Sequence, residues 1–527
     1  MQEKLAQLES LLAKDDYAGA RALVAGHIGL SPADRDAYLG AIEVKAGDQA
    51  RAEQLLRRAI ERDSNHILAK GNLAHLLVQQ RKFKLALEPA ESANKALPLN
   101  RNFAMTYAAV LSELDRHREA HECLAPVADR LKEDLRLQLT YAVLLRADLQ
   151  PLAALEVLER LRDQHPRNFD VMKAIADAWS EIDPRKASEA FSEAAKLSPE
   201  NLPLNWNRSF VELRLENFEL GWKLYDAGLT DKIGKVGRPL PAIAKSQRLT
   251  TEFDELDEGK WSAFIAEQGL GDQVLFYSCM GEALRLRPKS FLIAEERMLP
   301  LLRRTFKDVD VFPYSIGRTL QFQSARMNGL FPIGALPKRF WRSSAEIVEK
   351  SKPFLLPNEK LVQQYANVLR MKHGTKKLIG LSWRGGFWGR QKRTKSFDLE
   401  LLEPILKDSP HHYISLQYGD IEAEKEYVRR MGLPITFVAG VDFKKDIDAW
   451  FSLICACDEV LSVSTAMVHF AGAAGKKVHL ILSDHQSPFI WGLNEGPSLP
   501  YKSVIRYRPS KEEPLEQFVR RVAGAVQ

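Results

Sequence analysis

Small residues recur at nearly constant intervals through the first half of this chain, and this spacing constrains the fold more than any other feature. Successive members are 32 to 34 residues apart. The seven positions are Ala20, Ala52, Ala86, Ala120, Ala154, Ala187 and Gly221. A period of this length is typical of stacked helical repeats. A small side chain at the recurring position lets the two helices of each pair approach closely.

The residues around these positions also follow a helical pattern. Ala187, Phe191 and Ala194 lie at i, i+4 and i+7, on one face of a helix. A proline twelve residues after four of the seven positions predicts the end of a helix; these are Pro32, Pro98, Pro166 and Pro199. Over residues 1–228 the spacing resembles the tetratricopeptide repeat. The concave face of such arrays usually holds a peptide or another protein, so the repeats predict a partner and no reaction.

Length and composition leave room for several domains and exclude some classes of protein. A chain of 527 residues is expected to form two to four domains, and its net charge of +6 is too small and diffuse to indicate nucleic-acid binding. Four cysteines have neither zinc-site nor disulfide spacing, which favours a reducing compartment. The N-terminus has no apolar signal core, and no run of about eighteen apolar residues could span a membrane. We therefore expect a soluble, cytoplasmic protein.

The hydrophobic pattern changes after the repeats. Residues 229–260 form a mixed connector with an acidic run at 252–258. Two series of short apolar runs alternating with helical segments follow it. The predicted strands are 261–266, 290–294 and 309–313, then 377–383, 412–416, 434–438, 459–463 and 477–482. The predicted helices are 273–286 and 297–306, then 399–407, 422–431, 446–456 and 465–474. Such alternation predicts parallel sheets covered on both faces.

The predicted architecture is therefore an α-helical solenoid followed by an α/β module of two Rossmann-like halves that face a cleft. This arrangement is called GT-B in glycosyltransferases, although a two-domain epimerase or a binding protein could share it. The predicted domains are repeats over 1–228, a connector over 229–260, an N-terminal half with its crossover over 261–372, and a C-terminal half over 373–527.

The turn after the first predicted strand carries candidate acid–base residues. Gly269 and Gly271 permit a tight turn and a close approach of a ligand to the backbone. Asp272 then stands at the start of a helix, where it is either an N-cap or a general base at the mouth of the cleft. Glu267, five residues earlier, is the second candidate base.

A second candidate segment follows the strand 459–463. Ser464 or Thr465 is expected to cap a helix that begins near Ala466, whose free amides would face the cleft and bind phosphate. His469 lies one turn further along and could reach the same ligand. A histidine in a helix is more often structural, but its place after this turn favours a role in binding.

Two further segments leave strands at the same predicted edge. Residues 382–396, which include Trp383, contain five cations and three glycines. Among the cations, Arg384 and Lys395 are the candidates for binding phosphate or carboxylate. A solvated charge run is the plain alternative. Residues 415–420, with Gln417 and Tyr418, are suited to holding a nucleotide base or ribose.

Together, the four segments resemble the glycosyltransferase group that includes bacterial heptosyltransferases, over roughly residues 260–510. The family's Gly-Asp turn matches Gly271 and Asp272, and its Asp-Thr-Ala/Gly-x-x-His segment matches residues 464–469, with Ser464 in place of the usual Asp. With residues 217–225 ending the repeats, the segments 267–272 and 415–420 are similar to a narrower bacterial group in which tetratricopeptide repeats precede such a transferase. Some members of that group are implicated in glycosylating flagellins.

The resemblance implies an inverting, metal-independent transfer of a sugar from a nucleotide donor to Ser or Thr of an acceptor protein held by the repeats. Asp272 would be the base, and the cations with the 465–466 helix start would stabilise the leaving phosphate. Flagellin and a nonulosonic acid are the family-level expectations for acceptor and donor. Two alternatives remain open: a repeat scaffold that binds a nucleotide sugar without turnover, which the serine at 464 favours, and a transferase acting on a glycan or a lipid-linked acceptor.

Overall fold

The structure of the chain is a computed structural model, and it has two compact units, residues 1–178 and 179–527. It describes residues 2–26, 29–229, 237–245, 247, 249–318, 324–385, 396–407, 409–482, 488–510 and 512–526. No helix within these ranges is both long and apolar enough to cross a membrane.

The first unit consists of antiparallel helix pairs. Its helices are α1 (Gln2–Ala13), α2 (Tyr17–Ala25), α3 (Pro32–Ala46), α4 (Gln49–Arg62), α5 (Ile67–Gln79), α6 (Phe83–Ala96), α7 (Arg101–Glu113), α8 (His117–Arg130), α9 (Leu135–Ala147), α10 (Pro151–Gln164) and α11 (Phe169–Trp179). The prolines at 98 and 166 follow the ends of α6 and α10 as predicted. Pro32 instead begins α3, because its missing N–H is tolerated in the first turn of a helix.

The recurring small residues lie where the helices of each pair meet, which confirms their predicted role. Ala20, Ala52, Ala86, Ala120, Ala154 and Ala187 are all fully buried. At the seventh position, a Cβ on Gly221 would come within 2.6 Å of Leu213 Cγ in the paired helix. The helical repeat therefore depends on close packing at these positions.

The repeat continues into the second unit, which begins earlier than the predicted boundary at 228. Three helices of the second unit continue the repeat: α12 (Pro184–Leu197), α13 (Leu202–Arg214) and α14 (Phe218–Tyr225). Trp206, Trp222 and Tyr225 belong to the same buried cluster as Phe276 of the α/β region. The Trp222 and Phe276 ring centroids are 6.3 Å apart. These helices are thus part of the core of the second unit as well as the end of the repeat.

The remainder of the second unit alternates helices with strands. Its helices are α15 (Ala242–Lys245), α16 (Leu270–Tyr277), α17 (Met280–Leu286), α18 (Leu299–Thr305), α19 (Leu336–Phe340), α20 (Ser344–Lys350), α21 (Glu359–His373), α22 (Glu403–Leu406), α23 (Glu422–Met431), α24 (Ile447–Ala456), α25 (Ala466–Ala473) and α26 (Leu515–Val526). Its strands are β1 (Trp261–Ile265), β2 (Ser290–Ala294), β3 (Val311–Pro313), β4 (Met327–Pro332), β5 (Leu378–Ser382), β6 (His412–Ser415), β7 (Ile435–Phe437), β8 (Glu459–Val463), β9 (Lys477–Ile481), β10 (Gly496–Pro497) and β11 (Val504–Tyr507).

The strands form two sheets, as the alternation predicts. Within the described ranges, the first sheet has the order β3-β2-β1-β4 and is parallel throughout. The second has the order β10-β11-β9-β8-β5-β6-β7, in which the short β10 is antiparallel to β11 and the other pairs are parallel. The order of the second sheet reverses beside β5, between β6 and β8, where α/β sheets commonly bind ligands.

Three details differ from the predictions. The helix predicted over 273–286 begins at Leu270 and breaks into α16 and α17. At the break, the Ser278 hydroxyl donates to the Leu275 carbonyl at 2.5 Å, and side-chain bonding of this kind competes with helix continuation. Strand β4 lies in the region predicted as a crossover, and strand β11 and helix α26 follow the last predicted strand.

Candidate functional site

A cavity of about 390 Å³ lies between the carboxyl ends of the two sheets. Helices α16, α24 and α25 line part of it, and the other lining segments each come after a strand: 269–272 follows β1, Arg297 follows β2, and Gly385, Tyr418 and 443–444 follow β5, β6 and β7. Residues 464–466 follow β8, and 488–490 follow β9. Because parallel strands end at one edge, residues distant in sequence meet here.

The turn from β1 to α16 places a carboxylate in the cavity wall. The N-cap of α16 is Gly269, which has no side chain to cap the helix. Asp272 is therefore the third residue of the helix, and the N-cap alternative is wrong. Its side chain lines the cavity and is partly exposed. A carboxylate in this position can accept a proton from a group bound in the cavity.

The two glycines of this turn have different surroundings. A Cβ on Gly271 would lie 3.0 Å from His469 Cδ2 and 3.4 Å from Ala466 Cα, so the close approach of α16 to α25 requires the glycine. A Cβ on Gly269 would lie 3.2 Å from Asp272 Oδ2. At Gly271, packing between helices accounts for the small residue without a ligand.

Glu267 does not reach the cavity. Its carboxylate is fully buried and pairs with the equally buried Arg238, with 2.5 Å between Oε1 and Nη2. The Gly334 N–H also donates to Glu267 Oε1 at 2.9 Å. The structure therefore places this second candidate base in a buried ion pair that fixes the connector to the turn.

The start of α25 faces the same cavity. Thr465 is the N-cap residue, but its side chain does not cap the helix, and its hydroxyl lies 3.2 Å from that of Ser462. The Ser464 hydroxyl accepts a hydrogen bond from Trp491 Nε1 at 2.8 Å. Neither predicted side-chain cap is present, and Ala466 begins the helix in the cavity wall. Backbone amides in such a first turn favour an anionic group.

His469 is held one turn further along α25. Its Nδ1 lies 3.3 Å from the Tyr501 hydroxyl, and its ring centroid lies 4.9 Å from that of Trp491. Burial raises the pKa of Tyr501 well above its ordinary value, so this hydroxyl keeps its proton at neutral pH. His469 lines the cavity with only 8% of its surface exposed. The predicted proximity of His469 to the 464–466 turn is thus present.

Gln417 and Trp383 stabilise the strand ends and do not line this cavity, although Gln417 lines a second cavity beside it. Gln417 Oε1 accepts from the Ser382 hydroxyl and from the backbone N–H groups of Trp383 and Arg384, at 2.9 to 3.1 Å. Trp383 is 1% exposed and packs in the core of the C-terminal half. The side-chain amide of Gln417 therefore links the segments that follow β5 and β6.

Arg384 is also engaged away from the cavity. Its Nε donates to Glu424 Oε1 at 2.7 Å, and its Nη2 donates to the Asp420 carbonyl. Arg384 does not line the first cavity, and its role in binding a phosphate stays a prediction. Lys395, the other cation predicted to bind phosphate, lies outside the described residues.

Two cations in the cavity wall, Arg297 and Lys444, were not predicted from the sequence. Arg297 donates to Glu295 Oε1 at 2.6 Å and, through Nη1, to the Lys444 carbonyl. The Lys444 ammonium lies 5.7 Å from the centroid of the Tyr418 ring. Both cations could have been predicted from their position after a strand, as the other segments were, because 295–297 follows β2 and 443–444 comes after β7.

A second cavity of about 440 Å³ adjoins the first and shares Tyr418, Phe443 and Lys444 with it. It lies at the ends of β6 and β7, and Phe437 adds a further aromatic wall. The buried Ser415 hydroxyl lines this cavity and has no hydrogen-bond partner among the described residues. The two cavities together have room for an extended ligand that passes the Lys444 ammonium.

The described residues include no group of three or more His, Cys, Asp or Glu side chains placed to share a metal ion. Asp446 caps α24 by accepting from Ala449 N at 2.9 Å. Asp448 pairs with Arg304. Metal independence of any reaction stays a prediction.

Comparisons with known proteins leave the activity of the chain open. No family model matches the chain. Protein FlbA of Caulobacter vibrioides is 26% identical over 458 residues, which cover 83% of this chain and 75% of that protein. A tetratricopeptide repeat protein from Parabacteroides merdae is 15% identical, with a TM-score of 0.33 over 45% of this chain and 93% of the other. The pilF protein of Pseudomonas aeruginosa is 21% identical, with a TM-score of 0.31 over 38% of this chain and 90% of the other. TM-scores this low carry no conclusion about this chain.

Proposed function

We propose that the second unit is a GT-B glycosyltransferase that moves a sugar from a nucleotide donor to a Ser or Thr hydroxyl of an acceptor protein. The supporting observation is the cavity in which Asp272 of one sheet edge faces the start of α25 at the other. This arrangement combines a proton acceptor with an anion-binding helix start, and an inverting glycosyl transfer with loss of a phosphate uses both.

In the proposed mechanism, the sugar occupies the first cavity and the base and ribose occupy the second. Asp272 accepts the proton of the acceptor hydroxyl as its oxygen attacks the anomeric carbon, and the configuration at that carbon inverts. The bond from the anomeric carbon to the phosphate oxygen breaks, and the phosphate takes the electron pair. The first-turn amides of α25 and the Lys444 ammonium stabilise the negative charge that develops there.

The repeats supply the acceptor side of the proposal. Helical repeats of this kind present surfaces that bind peptides or proteins. In the first unit, a groove of about 770 Å³ is lined by apolar side chains, including Phe83 and Val143, and by four charged residues, which are Arg81, Glu113, Arg136 and Asp170. We place the acceptor there and take a flagellin, modified in the cytoplasm with a nonulosonic acid, as the first acceptor and donor to test.

Comparative mass spectrometry tests the proposal directly. Flagellin and other abundant proteins are compared between cells that express the chain and cells from which it has been deleted. We expect glycan masses on Ser or Thr residues that disappear on deletion and return on complementation. Unchanged acceptor masses, with a loss of lipid-linked or free glycans instead, would favour the glycan-acceptor alternative. No change in either class would favour the scaffold.

A further inference from the structure

The last repeat helix contacts the turn that carries Asp272. Tyr225 ends α14 and is 1% exposed. Its hydroxyl donates to Gln268 Oε1 at 2.8 Å. Burial raises the pKa of this hydroxyl, so it keeps its proton and remains a donor at neutral pH. A residue of the repeat thus holds a side chain of the turn.

Gln268 has an unfavourable backbone conformation. Its φ is +71°, in the left-handed region that a residue with a Cβ seldom adopts. Such a conformation persists where surrounding contacts hold it, and it occurs often at functional sites. The Gln268 N–H donates to the Pro239 carbonyl at 3.1 Å, and Gln273 Nε2 donates to the Gln268 carbonyl at 3.1 Å. Gln268 Nε2 has no partner among the described residues, so its side chain depends on the tyrosine.

The surroundings of Tyr225 make this contact rigid. The Arg238 guanidinium lies 5.0 Å from the Tyr225 ring centroid and forms the buried pair with Glu267, the residue before Gln268. Phe276, on the helix that begins at the turn, and Phe489, in the cavity wall, have ring centroids 6.4 and 6.0 Å from that of Tyr225. The tyrosine is therefore packed between the end of the repeat, the turn and the cavity.

We propose that Tyr225 is a positioning residue for Asp272: its hydroxyl holds Gln268 in the left-handed conformation that sets the start of α16 and the direction of the carboxylate. This inference rests on the proposed function for the role of Asp272, but the geometry of the turn can be measured without it. The end of the repeat is, on this account, part of the candidate active site.

The test uses the full chain and the substitution Tyr225→Phe, which removes one oxygen and keeps the ring. Hydrogen exchange of the peptide spanning 266–275 reports on the turn. We expect its amides to exchange about tenfold faster in Tyr225→Phe. The matched control is Tyr413→Phe, which removes a buried hydroxyl bonded to the Ile405 carbonyl and leaves the turn intact. Unchanged exchange in Tyr225→Phe would overturn the inference.

Repeating Tyr225→Phe in a second variant distinguishes a positioning role of the hydroxyl from a general loss of stability. Glycine adopts positive φ without strain, so Gln268→Gly should keep the turn without the tyrosine. Adding Tyr225→Phe to Gln268→Gly should then cause no further increase in exchange. An equal increase in both backgrounds would show that the hydroxyl acts elsewhere, and would contradict the proposal.

Sugar transfer provides the functional measurement. Tyr225→Phe should lower kcat at least tenfold with the donor KM within about twofold, and Tyr413→Phe should change neither. A normal kcat beside faster exchange would show that the turn does not position the base. If the parent chain transfers no sugar, the proposed function fails, while hydrogen exchange still decides whether Tyr225 holds the turn.

Discussion

Lys444 combines a fixed backbone with a side chain at the junction of two cavities. Arg297 from the first sheet edge holds its carbonyl, and its ammonium lies near the Tyr418 ring. Arg297, the other cation that lines the first cavity, and Arg384, the cation predicted from the sequence, are both paired with glutamates. We therefore assign the main side-chain contribution to nucleotide binding to Lys444 rather than to Arg384.

Replacing Lys444 with Ala should weaken binding of the nucleotide part of the donor by about 1.5–3 kcal/mol, the usual range for a hydrogen bond to a charged group. Calorimetric titration with UDP, CMP, GDP and ADP provides the measurement. Lys445→Ala is the matched control, because that neighbour is 88% exposed, pairs with Asp442 and does not line the cavity. Equal affinities in the two variants would remove Lys444 from the site.

Replacing Glu267 with Gln tests whether this residue stabilises the fold, since both members of the Glu267–Arg238 pair are fully buried. The change leaves the arginine charge poorly compensated and should cost about 3 kcal/mol of unfolding free energy, as breaking a buried pair usually does. Asp254→Asn, which breaks the exposed pair with Arg339, should cost less than about 1 kcal/mol. Denaturant unfolding measures both. A Glu267→Gln variant as stable as the parent would contradict this structural role.

At the scale of elements, the sequence predicts which segments meet but not how each side chain is directed. Because parallel strands end at one edge, the sequence predicted that the segments after β1, β6 and β8 meet, and they do. The residues of these segments that line the cavity include Gly271, Asp272, Tyr418, Ala466 and His469. It could not predict the inward orientation of Glu267 and Trp383. Those orientations depend on partners such as Arg238 and Glu424, which come from distant segments. Strand β4 was missed because it pairs with β1 across more than sixty residues of sequence.

Helix α21 and strands β6 and β7 meet at a pair of histidines. The His373 and His412 rings stack with centroids 3.7 Å apart, and both Nε2 atoms lie within 3.2 Å of the Thr436 hydroxyl. Burial, followed by the charges of His373 and the nearby Lys376 and Lys372, lowers the pKa of His412 to about 4. Burial also lowers the pKa of His373. The folded protein therefore favours the neutral rings.

This pair predicts a loss of stability in acid. Because the folded pKa of His412 lies below the ordinary value of about 6.5, protonation favours the unfolded chain. The stability present at neutral pH is lost as the pH falls from about 6.5 to about 4. Because the ring is only partly buried, we expect about 1–2 kcal/mol rather than the full shift. Unfolding of His412→Gln should show a smaller decrease over this window than the parent. Parallel curves would contradict the prediction.

At the scale of the whole molecule, the repeat and the α/β region overlap in sequence. The pattern of small residues continues to Gly221, while the second compact unit already begins at Trp179. Periodicity identifies the repeat but cannot predict this division, because it depends on Trp206, Trp222 and Tyr225 packing into the core of the second unit. The last repeat residues therefore have two structural roles.

A truncation experiment tests this division. A chain beginning at Ser180 keeps the core of the second unit and should fold and bind the nucleotide with the affinity of the full chain. It should lose modification of an intact acceptor protein, because the proposed acceptor surface has been removed. A chain beginning at Glu252 exposes the surface that Trp222 and Tyr225 cover, and it should unfold or aggregate. Thermal unfolding and calorimetry measure these properties. Equal stability of the two truncated chains would contradict the division.

The most direct measurement of the central claim is sugar transfer by Asp272→Asn. Asparagine keeps the size of the side chain but cannot accept the proton at neutral pH. Purified parent and variant chains are incubated with the nucleotide sugar and the acceptor protein, and intact-mass spectrometry follows the reaction over time. The parent should add one sugar mass per modified site, and the variant should be at least about 100-fold slower with unchanged nucleotide affinity. Transfer by Asp272→Asn at the parent's rate, or no transfer by the parent, would contradict the account.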